Sequence, residues 1–190
     1  MIRTFIAIDL PPGLREDLEA LQKKLQKADA PVSWVKVDRV HLTLKFLGDV
    51  APERIDSFRD ALAAVSAKTS PFRLKPLGCG AFPSIKQIRV VWVGLQGEDE
   101  ALNKLQQEVE KAMAPFGFEP EGRPFKPHLT LGRARGKQRM QKLQDLLLAN
   151  HGFEAEDFDV SELVLYKSEL RPEGARYTPL FRAPFTGHPV

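Results

Sequence analysis

Apolar positions along the chain switch between the period of a strand and that of a helix. Residues 2–9 (IRTFIAID) are rich in Ile and Phe and read as a buried strand. Pro11 and Pro12 then open a helix, where proline is tolerated in the first turn. Leu14, Leu18, Leu21 and Leu25 recur there at spacings of three and four, which marks one apolar face. A strand is predicted at Val40–Leu47, and a helix from about Pro52 to Lys68 with Ile55, Phe58, Leu62 and Val65 turned inward. Strands follow at 71–77 and 88–95, the second (IRVVWVGL) being strongly β-branched and aromatic.

After Gly94 and Gly97 the order begins again. A helix over 98–114 carries Leu102, Leu105, Val109 and Met113 at helical spacing, followed by a strand at about 127–133 and a helix at about 137–150. Strands at 153–159, 160–167 and 176–183 complete the chain. The order is an α+β pattern. No low-complexity tract separates the halves. We expect one domain over 1–190, built of two lobes with a seam near 94–97.

Composition changes this picture little. Hydrophobic residues make up 43% and charged residues 28%, as in ordinary globular proteins. A net charge of +3 is too small for a general nucleic-acid-coating protein. Its distribution says more, because six cations and no carboxylate lie between Gly122 and Arg139. Such a stretch raises the potential where an anion could dock, although a solvated face reads the same way. The lone Cys79 cannot form an intrachain disulfide and is expected to pack as a small apolar residue. No segment has the length of a signal peptide or a membrane span, so a cytoplasmic protein with no membrane partner is expected.

Of four histidines, two sit in the same tetrapeptide, HLTL, at 41–44 and 128–131. Both copies precede a predicted helix, so this is an internal repeat of 87 residues in context as well as letters. Alternate side chains of a strand share a face, pairing His41 with Thr43 and His128 with Thr130 while the leucines face inward. If a pseudo-twofold relates the lobes, two imidazoles flank one point and two hydroxyls donate to an anion held there. In-line displacement at phosphorus needs that arrangement: a base for the entering oxygen and an acid for the leaving one. Histidine serves both roles because its ordinary pKa is near 6.5. For a single His-x-Thr, ordinary packing explains the residues better; two identical copies in matching context favour chemistry. Metal binding is disfavoured, since neither a cysteine nor an HExxH pattern accompanies the histidines. His151 and His188 lie outside the repeat and are assigned to the surface.

Taken together, FIAIDLPP, WVKVDRVHLTLKFLGDV, AFPS, RVVWVGL, FKPHLTLGRAR and LVLYKSELRPEGARYTPL span most of the chain. They resemble the two-histidine phosphoesterase superfamily, and within it the RNA 2′,3′-cyclic phosphodiesterases, also called 2′-5′ RNA ligases. The resemblance implies a bilobal, duplicated fold with two antiparallel sheets, helices on the outer faces and a central cleft. It further implies opening of a 2′,3′-cyclic phosphate on RNA ends or nucleotides to a 2′-phosphate, with no metal or other cofactor. His41 would be the acid toward O3′, His128 the base toward water, and Thr43 and Thr130 the phosphate ligands. Phe46 and Arg133, each five residues past a histidine, would stack on a base and contact the phosphate. Strict alternation instead puts a +5 residue on the face opposite the histidine. Either the strands break near Lys45 and Gly132, or these residues do other work, core packing in the case of Phe46. The reverse reaction, 2′-5′ ligation, and an inactive RNA-end-binding module remain alternatives. A monomer is expected.

Overall fold

The first strand, β1 (Ile2–Ile8), buries five consecutive residues, Thr4 to Ile8, as a strand covered on both faces must. The computed structural model describes residues 1–172 and 174–188; Glu173, within the ELRPEGAR block, and Pro189 and Val190 at the end of the expected 1–190 unit lie outside the described residues. Helix α1 (Pro12–Gln26) turns its leucines onto the sheet, and a short strand β2 (Val32–Trp34) follows. Next come β3 (Leu42–Val50), α2 (Ile55–Ser66), β4 (Phe72–Ser84) and β5 (Gln87–Gly97). The chain continues through α3 (Asp99–Met113), β6 (His128–Ala134) and α4 (Met140–Ala149). It ends with β7 (Phe158–Val160), β8 (Glu162–Glu169) and β9 (Arg176–Pro184). The fold is α+β, with four helices against an antiparallel sheet.

The described strands form one connected path, β7-β4-β5-β6-β3-β1-β8-β9, with β2 paired to β6. The path is narrowest at its centre, where β3 and β6 share the single pair Leu42–Leu129. Reading outward from it, β3-β1-β8 mirrors β6-β5-β4. Helices α1 and α3 are offset from Pro12 to Asp99, the same 87-residue step that separates the histidines. The third strand of each set comes from the other half of the sequence: β4 follows α2 yet pairs with β5, and β8 follows α4 yet pairs with β1. Residues 94–97 lie inside β5.

The predicted helices are all present within a few residues. Three strands differ: β7 (Phe158–Val160) shares only two residues with the expected 153–159 strand, β4 runs on to Ser84 past the expected end at 77, and the three residues of β2 carry no readable period. Among the described residues, no helix is long and apolar enough to cross a membrane.

Beneath β3, Lys45 is buried and pairs with the Glu110 carboxylate of α3, which also accepts from Gln106 at 2.9 Å. The Lys45 ammonium additionally donates to the Glu119 carbonyl at 3.0 Å, tying strand, helix and loop together. Breaking a buried pair strands a charge and costs about 3–5 kcal/mol, whereas removing both charges is far milder. Lys45→Met should therefore destabilise the protein by roughly 3 kcal/mol. Lys45→Met/Glu110→Met should recover most of that in urea unfolding; a double variant as unstable as the single one would refute this account.

Candidate active site

Each histidine sits at the mouth of one central strand, held by the carbonyl two residues before it. His41 Nδ1 lies 2.9 Å from the Arg39 oxygen, and His128 Nδ1 lies 2.7 Å from the Lys126 oxygen. A carbonyl only accepts, so Nδ1 carries the proton in both rings and Nε2 is the nitrogen free to exchange one. A 3₁₀ turn at Val37–Arg39 delivers the first carbonyl, while the second comes from the loop before Pro127.

The Leu42–Leu129 pair sets the rest. Both leucines are buried, so the residues flanking them point to the opposite face. Antiparallel geometry around this pair sets His41 opposite Thr130 and Thr43 opposite His128. All four are half-buried, as the lining of an open cleft would be.

The +5 residues reach that face through bulges. β1 pairs Ile6 with Lys45 and Ala7 with Thr43, leaving Leu44 as the extra residue. β5 pairs Val91 with Gly132 and Trp92 with Thr130, leaving Leu131 extra. Both insertions fall three residues past the histidine, and the strand phase flips there. From 41 to 46 and from 128 to 133, exposure follows one sequence: half-buried, buried, half-buried, buried, buried, exposed. Phe46 thus stands out at 63% exposure rather than in the core, and Arg133 is exposed as well. Gly132 is required under β2, since a Cβ there would lie 2.6 Å from Val32 Cγ1.

Aromatic residues that the sequence reading missed line the His41 side. Phe5 stacks on His41 at 4.7 Å and 25°, and Tyr177 meets its edge at 5.2 Å. Phe5 also contacts Phe46 at 6.1 Å and stacks on Tyr166 at 5.3 Å. The Tyr166 hydroxyl donates to Asp9 Oδ1 at 2.5 Å, and Arg182 binds the other oxygen of that carboxylate at 3.1 Å. Burial pushes the Tyr177 hydroxyl above its ordinary value, opposed by the charges of Arg133, Arg39 and Arg3. Those three charges therefore act on the Tyr177 side of His41. No sequence period marks them, since Phe5 sits between Thr4 and Ile6 and Tyr177 between Arg176 and Thr178.

Burial lowers the His41 pKa below 6.5, against the opposing pulls of the Arg39 carbonyl and the Asp9 carboxylate. His128 packs edge-on against Phe82 at 4.9 Å and borders a cavity of about 530 Å³, whose wall also holds His151. Cys79 is buried and its thiol is pushed up to about 11 by desolvation, which makes it a poor nucleophile. Among the described residues no three His, Cys, Asp or Glu converge as metal ligands.

A model of the 2′-5′ RNA ligase superfamily matches residues 10–172. The RNA 2′,3′-cyclic phosphodiesterase of Methanothermobacter thermautotrophicus is 37% identical over 177 residues, covering 93% of this chain and 95% of that protein. Its counterpart in Escherichia coli K12 is 31% identical over 95% of this chain and 94% of its own length. The crystal structure of TT0787 of Thermus thermophilus matches with a TM-score of 0.81 at 26% identity, covering 98% of this chain and 99% of that one. E. coli LigT complexed with 3′-AMP matches with a TM-score of 0.73 at 29% identity, covering 97% and 98%.

The lowered affinity of His41 for a proton is open to direct measurement. In the ligand-free protein, the His41 ring should titrate below pH 6.5 by NMR. Phe5→Ala, which opens the ring to water, should move the midpoint upward. A wild-type midpoint at or above 6.5 would mean that burial does not govern this ring.

Proposed function

The chain belongs to the 2′-5′ RNA ligase superfamily, and from that premise we propose that it hydrolyses 2′,3′-cyclic phosphates on RNA ends or nucleotides to 2′-phosphates. The observation that carries the reading is the Leu42–Leu129 pair, around which two identical His-x-Thr units meet on one face. Relatives bearing the name RNA 2′,3′-cyclic phosphodiesterase over more than nine-tenths of the chain support the same substrate.

In the proposed mechanism the cyclic phosphate lies between the two rings. His128 Nε2 takes a proton from water as the new P–O bond forms opposite O3′. The P–O3′ bond breaks, and His41 Nε2 protonates the departing O3′, leaving the phosphate on O2′. The Thr43 and Thr130 hydroxyls donate to the non-bridging oxygens, and Arg133 offsets their charge. Phe46 offers the base an exposed ring, continuous through Phe5 with the platform under His41. Imidazoles and cations fill the roles a Lewis acid would otherwise take, so the reaction needs no metal or other cofactor.

We read residues 1–190 as one two-lobed unit, β3-β1-β8 on one side of the cleft and β6-β5-β4 on the other. The mirrored strand order and the 87-residue step between α1 and α3 support that reading. The lone cysteine fits a cytoplasmic protein, and we expect it to act as a monomer.

The test is incubation with 2′,3′-cyclic AMP in excess EDTA. The expected product is 2′-AMP alone; 3′-AMP would reverse the pose, and dependence on added metal would overturn the mechanism. His41→Ala and His128→Ala should each lower kcat by at least about a hundredfold with the fold intact. Retention of more than roughly a tenth of wild-type kcat by either would rule out paired-histidine catalysis. Phe46→Ala should raise KM about tenfold with little change in kcat, since base stacking contributes ~1–3 kcal/mol. An unchanged KM would remove Phe46 from the substrate site.

A further inference from the structure

The mirrored strand sets give each histidine a neighbour on the strand flanking its own, and the two neighbours differ. On β5, Gly94 pairs with His128. A Cβ at Gly94 would lie 2.6 Å from the Leu77 carbonyl oxygen, which leaves no room for a side chain. On β1, Ala7 pairs with Thr43 and Ile8 with Leu42. The next step of that register sets Asp9 across from His41, on the face that His41 shares with Thr43. One histidine therefore has a carboxylate beside it, and its counterpart has bare backbone.

The carboxylate is held at both oxygens. Oδ1 accepts from the Tyr166 hydroxyl at 2.5 Å, and Oδ2 from Arg182 at 3.1 Å. Tyr166 stacks on Phe5 at 5.3 Å and Phe5 on His41 at 4.7 Å, with interplanar angles of 21° and 25°. Asp9 thus anchors the far end of a stack of three rings that finishes in the imidazole. It is half-buried, so water screens its charge only in part.

The groups around the ring pull in both directions. Asp9 favours the protonated form, and the Arg15 guanidinium of α1 opposes it. Arg15 is itself fixed, donating to the Leu10 and Asp38 carbonyls at 3.1 and 3.0 Å. Arg182 also pairs with Glu162 of β8, so two carboxylates share one cation and Asp9 is not fully neutralised. On β9, Tyr177 meets the ring without charge near neutral pH, because burial raises its hydroxyl, and Arg3, Arg39 and Arg133 act on that side. β6 contributes His128, diagonal to His41 across the Leu42–Leu129 pair.

We propose that Asp9 is a positioning residue that makes His41, and not His128, the acid: it fixes the ring stack, and its charge stabilises the imidazolium that faces O3′. The inference rests on the reading of the site as a paired-histidine phosphodiesterase. An acid must hold its proton until the P–O3′ bond breaks, while a base must be neutral to take one. A carboxylate beside one ring and none beside the other separates those roles on an otherwise symmetric frame.

The experiment compares two variants. Asp9→Asn removes the charge but keeps an oxygen for Tyr166, and Arg182→Met leaves Asp9 in place without its cation. Both histidine rings are titrated by NMR in the ligand-free protein, and kcat and KM for 2′,3′-cyclic AMP are followed across pH. Asp9→Asn should lower the His41 midpoint and leave that of His128 unchanged. Its loss of kcat should be about tenfold greater near pH 8 than near pH 6, with KM little altered, because a weaker hold empties the acid sooner as pH rises. Arg182→Met should move the His41 midpoint and the alkaline limb of kcat upward. An unmoved His41 midpoint in Asp9→Asn, or a loss of kcat that is equal at both pH values in both variants, would overturn the assignment. Failure of the wild-type protein to open 2′,3′-cyclic AMP would count against the hydrolysis reading; a lowered His41 midpoint in Asp9→Asn would then still uphold the pairing of Asp9 with that ring.

Discussion

The contact on which the site depends is one backbone pair. Leu42 and Leu129 join β3 to β6 where the sheet path is narrowest, and both side chains are buried. A pleated strand leaves no freedom after that: with the leucines inward, the residues on either side must face out. Because the pair joins equivalent positions of the repeat, the local symmetry relates one histidine to the other. A slip of either strand by one residue at this junction would turn its histidine toward the core and its leucine toward water. The burial of two leucine side chains, about 1.5–3 kcal/mol each, opposes that slip.

The two bulges extend this control to the next residues, but they are secured by different means. At the first, the phase flip drives Lys45 inward, where the Glu110 carboxylate, itself held by the Gln106 amide, and the Glu119 carbonyl meet its charge. At the second, Gly132 occupies the corresponding position and lets β2 close over it. There the bulged Leu131 carbonyl accepts from the Gln22 side chain at 3.0 Å and from the Val35 N–H at 2.8 Å. Equivalent geometry in the two halves thus rests on an ion pair in one and on backbone and amide hydrogen bonds in the other. Phe46 and Arg133, at matching positions, present a ring on one side and a guanidinium on the other.

Much of this is legible in the sequence, and the parts that are not have identifiable causes. Helices with leucine at three- and four-residue spacing declare themselves, and strand alternation in the repeated HLTL puts the histidines and threonines on the face opposite the buried leucines. A bulge leaves no such mark, since strict alternation places Phe46 and Arg133 on the wrong face. The one hint is the charged Lys45 directly after an apolar leucine. The exchange of β4 and β8 between the mirrored sets is equally silent, because pairing partners are not encoded in the period of a strand. The aromatic bed of Phe5, Tyr166 and Tyr177 assembles from strands far apart in sequence, so only the register brings it together.

Symmetry of position does not make the two histidines equivalent. Both donate from Nδ1 to the carbonyl two residues back, yet His41 alone is enclosed by Phe5 and Tyr177, and burial lowers its affinity for a proton. A general acid must hold a proton before it can give one, and at neutral pH a lowered pKa works against that. On the proposed reading the substrate resolves the conflict. An anionic phosphate about 4 Å from the ring, at an effective dielectric constant near 20, favours the imidazolium by about 4 kcal/mol. That pull runs opposite to the lowering that burial produces. The ring would stay neutral in the empty cleft and take up its proton as the phosphate arrives. Burial then has a second effect: the proton, held only by the substrate's charge, is readily surrendered to O3′ as the P–O bond breaks.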